Sequence, residues 1–321
     1  MKKMLALLLT ISVVQCGLIF GQFFGVGGTF FAEALAEQLP SNFADMSLDE
    51  LLNLQAEISE VIAQKHAEPF AEEKVDATGK TLRDIFPCID LAKAVRDNIG
   101  LTSIDQPIPE GKLEQMTSLN YASYADPKAV DIDSIEGIQY LTGLGSIQFD
   151  RWMYPSYSKI TSLPEGFYSL PEVWQLILSS TSISEIDPRI GNMTTLVKLY
   201  LDKMQIVSLP EELGNLYRLE TLSISGSAVS KLPDSFSNLQ SLQTLDLSDT
   251  QISEFPTCIL AMPNLRKLDL SGTQISELPP EIALMSSLRE LDISNTRITS
   301  LPKEMYSMNL TSFKKDGLDI E

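Results

Sequence analysis

From Pro171 to Met308 the chain reads PEVWQLILSSTSISEIDPRIGNM, TTLVKLYLDKMQIVSLPEELGNL, YRLETLSISGSAVSKLPDSFSNL, QSLQTLDLSDTQISEFPTCILAM, PNLRKLDLSGTQISELPPEIALM and SSLRELDISNTRITSLPKEMYSM, six blocks of 23 residues without a break. Numbered from 1 within each block, columns 3, 6, 8, 13, 16, 20 and 23 are apolar throughout. The last block supplies Leu288, Leu291, Ile293, Ile298, Leu301, Met305 and Met308. One such unit cannot bury its own apolar side, so the blocks must stack, each pairing a short strand in parallel with its neighbour about 4.8 Å away.

The pattern LxxLxLxxxxIxxLPxxIxxL resembles the leucine-rich-repeat family in its 23-residue variety, which carries Leu-Pro after the turn. The resemblance implies an α/β repeat solenoid, a horseshoe with a parallel β-sheet on its concave face. Upstream, FPCIDLAKAVRDNIG (residues 86–100), a short acidic helix and IDSIEGIQYL (residues 132–141) resemble the small helical N-terminal cap of internalin-like bacterial surface proteins. A cap is physically required, because the first strand of a solenoid is an open edge. Within it, Ile85–Arg96 is expected to be one helix stopped at Gly100, and Pro109–Met116 a second, shorter one.

Around this core the chain divides into further segments. Residues 1–36 open with Lys2 and Lys3, continue through an apolar stretch and end in an A-x-A sequence, which predicts a secretory signal peptide. The same stretch is long enough to span a bilayer, so an uncleaved anchor is the alternative. Residues 37–80 hold an amphipathic helix capped by Ser47, with Leu51, Leu54, Ile58, Val61 and Ile62 on one face, followed by a polar linker. Residues 81–141 form the cap with a first partial repeat. Residues 142–321 are repeats: 142–170 with six surplus residues, the six regular blocks 171–308, and a partial last turn over 309–321. The surplus falls in Arg151–Tyr157, where the strand ends.

Composition narrows the function. The chain has 24 basic and 43 acidic residues; without the first 36 these become 22 and 42, a net charge of −20. Such a surface repels phosphate backbones, so no nucleic-acid partner is expected. A single His, His66, leaves little material for a Ser-His or Cys-His pair or a His-rich metal site, so no enzyme activity, cofactor or metal is predicted. Cys88 and Cys258 stand about 20 Å apart in the stack, too far for a disulfide, which needs Cα atoms within about 7 Å.

Side chains of columns 5, 7 and 9 point out over the sheet. Counting columns 4, 5, 7, 9 and 10 over the six blocks gives seven acidic and five basic residues, a nearly neutral face. Asp246, Asp269 and Asp292 line up on successive strands. They form either a calcium-binding row or, the favoured reading, pairs with Arg266, Lys267 and Arg289. Column 11 holds Thr181, Met204, Ser227, Thr250, Thr273 and Thr296 where the family often has Asn, which makes the Met204 turn suspect.

At the N-terminal end of the face, Trp174, Ile177 and Tyr200 are placed beside Trp152, Tyr154 and Tyr157 of the insert. These six are the candidate binding residues for a protein or peptide ligand. The alternative is that the insert folds back and covers Trp174 and Tyr200 as a plug. The expectation is an exported protein that recognises another protein at the cell surface or outside the cell. The competing expectation is a structural envelope component held by its N-terminal segment, the only part predicted to meet a membrane.

Overall fold

The computed structural model describes residues 77, 79–120, 132–149 and 159–318. All of them fall in one compact unit, Val75–Glu321. The predicted signal peptide and amphipathic helix lie outside the described residues. No helix among the described residues is long and apolar enough to cross a membrane.

Nine three-residue strands form one parallel sheet in strict chain order: β1 Ser118–Asn120, β2 Ser146–Gln148, β3 Gln175–Ile177, β4 Lys198–Tyr200, β5 Thr221–Ser223, β6 Thr244–Asp246, β7 Lys267–Asp269, β8 Glu290–Asp292 and β9 Ser312–Lys314. β3 to β8 occupy columns 5 to 7 of the six regular blocks. Their register pairs column with column, as in Leu176↔Leu199↔Leu222. β9 begins 22 residues after β8, so the last coil is one residue short.

The backbone ladder is wider than the strands. At column 4, Val197 N–H donates to the Trp174 carbonyl and Glu220 N–H to that of Val197. At column 10, the N–H of Ser180, Lys203, Gly226, Asp249, Gly272 and Asn295 donates to the column 9 carbonyl of the next coil at 2.7–2.8 Å. Each of these six residues has positive φ, between 54° and 69°. The left-handed step turns the chain off the sheet once its last ladder bond is made. Gly meets that demand freely and Asn or Asp tolerate it, whereas Ser180 and Lys203 carry a cost of about 1–2 kcal/mol each.

After the turn the chain runs extended to a proline at column 17 (Pro210, Pro233, Pro256, Pro279, Pro302), which stands at the N-cap of a five-residue 3₁₀ helix. Proline's fixed φ and missing N–H suit that place. Nearly all residues of the seven apolar columns are buried; Phe255, Leu301 and Met308 are half-buried. Packed columns of Leu and Ile along the stack make one continuous core, and no coil buries its share alone.

Column 11 is an eighth inward column. Thr250, Thr273 and Thr296 donate their hydroxyls to the carbonyls of Leu247, Leu270 and Ile293, at 2.7, 2.6 and 2.8 Å. Thr181 and Ser227 are equally buried, yet their hydroxyls have no hydrogen-bond partner. Met204 is buried as well, and its turn has the same left-handed step at Lys203 as its neighbours. The turn expected to be suspect is therefore regular, because an apolar side chain fits a column that faces the core.

The cap differs from its sequence reading in two places. The expected Ile85–Arg96 helix is two helices, α1 Leu82–Ile85 and α2 Ile89–Ile99, separated at Pro87, which cannot supply an amide to a continuous helix. A reciprocal Thr81–Asp84 capping box starts α1, and Gly100 at φ 71° ends α2. Pro109–Met116 is not a helix but successive turns, since Gly111 adopts φ 68° in its middle. Lys80 already belongs to the packed cap: its carbonyl accepts from the Ile108 N–H and its Nζ donates to the Tyr140 hydroxyl at 2.8 Å. Cap and first coils meet without clearance, for a Cβ on Gly143 would lie 2.0 Å from the Glu114 carbonyl oxygen.

Two buried threonines in identical columns should respond oppositely to the same change. Thr273→Val removes the shorter of the two hydrogen bonds to the Leu270 carbonyl, which keeps only the 3.3 Å bond from the Thr273 N–H, costing about 1 kcal/mol in chemical denaturation. Thr181→Val removes a hydroxyl that is buried and unpaired, so its stability should be unchanged or higher.

Candidate functional site

The outward face of the sheet is built from columns 4, 5, 7 and 9, and its N-terminal end is the apolar one. Trp174 precedes β3 at column 4. Its neighbour in the previous coil is Gly145, and a Cβ there would come within 2.8 Å of the indole Nε1. A missing side chain thus makes the seat for the ring. On the other side Lys198 holds its Nζ 5.9 Å from the ring centroid. The indole is still 43% exposed. An ammonium beside an exposed ring is worth about 0.5–1 kcal/mol, enough to bias its orientation.

Ile177 and Tyr200 are direct register partners at column 7. Both are half-buried, and burial, with Asp202 nearby, raises the Tyr200 hydroxyl pKa. They stand at the far end of the strand from Trp174, about 10 Å along it at the rise of an extended chain. Phe149, the last described residue before the insert, donates its N–H to the Ile177 carbonyl, at the Ile177 end of the strands. Trp152, Tyr154 and Tyr157 lie outside the described residues. Of the six predicted residues, the structure joins Ile177 to Tyr200 and sets Trp174 apart from them on the same face.

Polar bonding runs along the strand ends. Asp246 accepts from the Ser248 N–H and hydroxyl at 2.9 and 2.6 Å, Asp269 from those of Ser271 at 3.0 and 2.6 Å, and Asp292 from the Ser294 N–H at 2.9 Å. The expected ion pairs with Arg266, Lys267 and Arg289 are not formed; among the described residues only Lys314 pairs with this row, reaching Asp292 at 3.2 Å. A carboxylate two residues from an amide finds it without ordering a long side chain, which is why the local donor wins. Among the described residues no group of three or more acidic, His or Cys side chains is arranged to hold a metal.

Asp202, the one column 9 residue that is not Ser, does more. It accepts from the Ser179 hydroxyl at 3.1 Å, from the Ser223 hydroxyl and from the Ser225 N–H at 3.0 Å, clamping three coils. Its singular position was visible in the alignment of the blocks; its role needed the coordinates.

Comparison with known proteins agrees with this geometry. A model described as leucine rich repeats in two copies matches residues 240–283 and 263–304, and one described as leucine rich repeat matches residues 194–252. Residues 194–304 are leucine-rich repeats, and the solenoid has an internalin-like fold. An internalin (inlF) from Listeria monocytogenes superposes with TM-score 0.59 at 24% identity, covering 77% of this chain and 74% of its own. Internalin C2 from the same organism gives 0.60 at 21%, covering 77% and 99%. A leucine-rich-repeat protein of Leptospira interrogans gives 0.58 at 27%, covering 70% of this chain and 57% of its own length. A search of curated proteins finds no match to the sequence.

On this repeat framework the two described thiols are free, Cys88 buried and Cys258 half-buried. Burial first, then the nearby Asp234 carboxylate, pushes the Cys258 thiol up to about 11. At pH 8 it holds almost no thiolate, the reactive form. Labelling of Cys258 by a thiol-disulfide reagent at pH 8 should therefore run more than about tenfold slower than that of glutathione, with the rate climbing until the pH nears 11.

Proposed function

We propose that this leucine-rich-repeat protein is exported and recognises another protein or peptide through the concave face of its sheet, without catalysing a reaction. The observation that carries the reading is Trp174: a large aromatic side chain, 43% exposed, held over Gly145 on a sheet whose backbone is bonded on both sides. Covering the exposed part of an indole is worth about 2–3 kcal/mol at the usual yield per area, and aromatic groups on rigid supports dominate binding energies. Ile177 and Tyr200 add a second apolar contact on the same face, and Trp152, Tyr154 and Tyr157 complete the proposed site. The fold shared with internalins supports a binding role for the solenoid, and the apolar start of the chain supports export.

A structural envelope component held by an uncleaved N-terminal segment is the second reading, favoured by the length of the apolar stretch between Met4 and Phe31. Sequencing the N-terminus of the protein recovered from its host separates the two: a start at or near Glu37 means release, an intact Met1 means anchoring.

The binding reading is tested by Trp152→Ala combined with Trp174→Ala in a pull-down from host-surface or culture extracts. Loss of the captured protein by tenfold or more, with an unchanged melting temperature, is the expected result. A drop of several degrees in melting temperature would assign these residues to a self-covering plug instead.

A further inference from the structure

The formal charges on the concave face nearly cancel, but the charges that remain available do not. Of the seven carboxylates in columns 4 to 10 of the six regular blocks, four (Asp202, Asp246, Asp269 and Asp292) are committed to serine hydroxyls and amides of the solenoid itself. All four are half-buried. At the opposite ends of the strands stand Arg266, Lys267 and Arg289, all exposed. Arg266 and Arg289 are neighbours in column 4, the Arg289 N–H donating to the Arg266 carbonyl. The Arg266 and Lys267 side chains have no hydrogen bond or ion pair among the described residues. Glu290 faces Lys267 in register, yet no ion pair joins them.

Two adjacent arginines and a lysine repel one another, and folding gains nothing from leaving the Arg266 and Lys267 side chains unpaired in a chain with 43 carboxylates. We propose that Arg266, Lys267 and Arg289 form a docking patch for an acidic segment of the protein partner, one that presents neighbouring carboxylates. The proposal rests on the reading of the concave face as a protein-recognition surface. Charge complementarity selects the occupant: guanidinium groups accept carboxylates in paired hydrogen bonds. A uniformly charged polyanion fits less well, because Glu220 in the same column and Glu290, the register partner of Lys267, are exposed beside the three cations. A protein segment can alternate acidic residues with others to match such a mosaic. At about 0.15 M salt the Debye length is roughly 8 Å, so the distant negative charge is screened while contacts at the patch persist.

The test uses fluorescence anisotropy at that ionic strength, with the full chain and three labelled probes: a Gly-Ser peptide of twelve residues carrying four Glu, the same peptide with Gln, and a heparin oligosaccharide. The Glu peptide should bind, the Gln peptide should not, and Arg266→Gln with Lys267→Gln should weaken the Glu peptide about tenfold. Arg289 is left in place because its guanidinium also donates to the carbonyls of Ser286 and Leu288. The double variant should keep its melting temperature, since neither side chain supports the fold. The probe consists of Gly, Ser and Glu and offers nothing apolar to Trp174, which keeps this result separate from that of the aromatic site. Glu-peptide binding that is absent, matched by the Gln peptide or insensitive to the double variant would overturn the proposal. So would tighter binding of heparin, which would mark a site for sulfated glycans.

Discussion

No coil of this solenoid can complete its own backbone hydrogen bonding. Each coil donates to the coil before it at columns 4 and 5 and to the coil after it at columns 8 and 10, and the apolar columns behind that ladder are covered only when both neighbours are in place. Stability is then shared between adjoining coils rather than resident in any of them. The ends carry the consequence. At one end the cap packs so closely that Gly143 has no room for a Cβ. At the other, Phe313 occupies the inward position of β9 and remains 37% exposed.

The solenoid was legible because its signal is a period. Seven apolar columns recurring at 23 residues admit one register, and the observed strand pairing follows it from β3 to β8. The left-handed column 10 was less visible, since Ser180, Lys203, Gly226, Asp249, Gly272 and Asn295 share no chemical character. Four of the six are Gly, Asn or Asp, and that was the available clue. The cap was read less well, because it has no repeat to average over. Single residues, Pro87 and Gly111, decided where its helices stop.

At the candidate site, residue types were legible and their partners were not. Counting charges by column could not tell a carboxylate turned toward its own serine from one open to solvent, because that choice is made over two residues of backbone. The same blindness affected the aromatic residues. Trp174, Ile177 and Tyr200 are close in the repeat alignment, but three residues of extended chain separate column 4 from column 7. The ring and the Ile177–Tyr200 pair therefore occupy opposite margins of the sheet. What the alignment does show without coordinates is that Gly145 precedes Trp174 in the same column, leaving the indole its seat.

Trp174 and Arg266 lie in one column, four coils apart. Their separation is thus a whole number of strand spacings, about 19 Å. The molecule works as a caliper: its jaws are set by how many coils stand between them, and gain or loss of one 23-residue unit would reset the gap by a single notch while leaving each jaw unchanged.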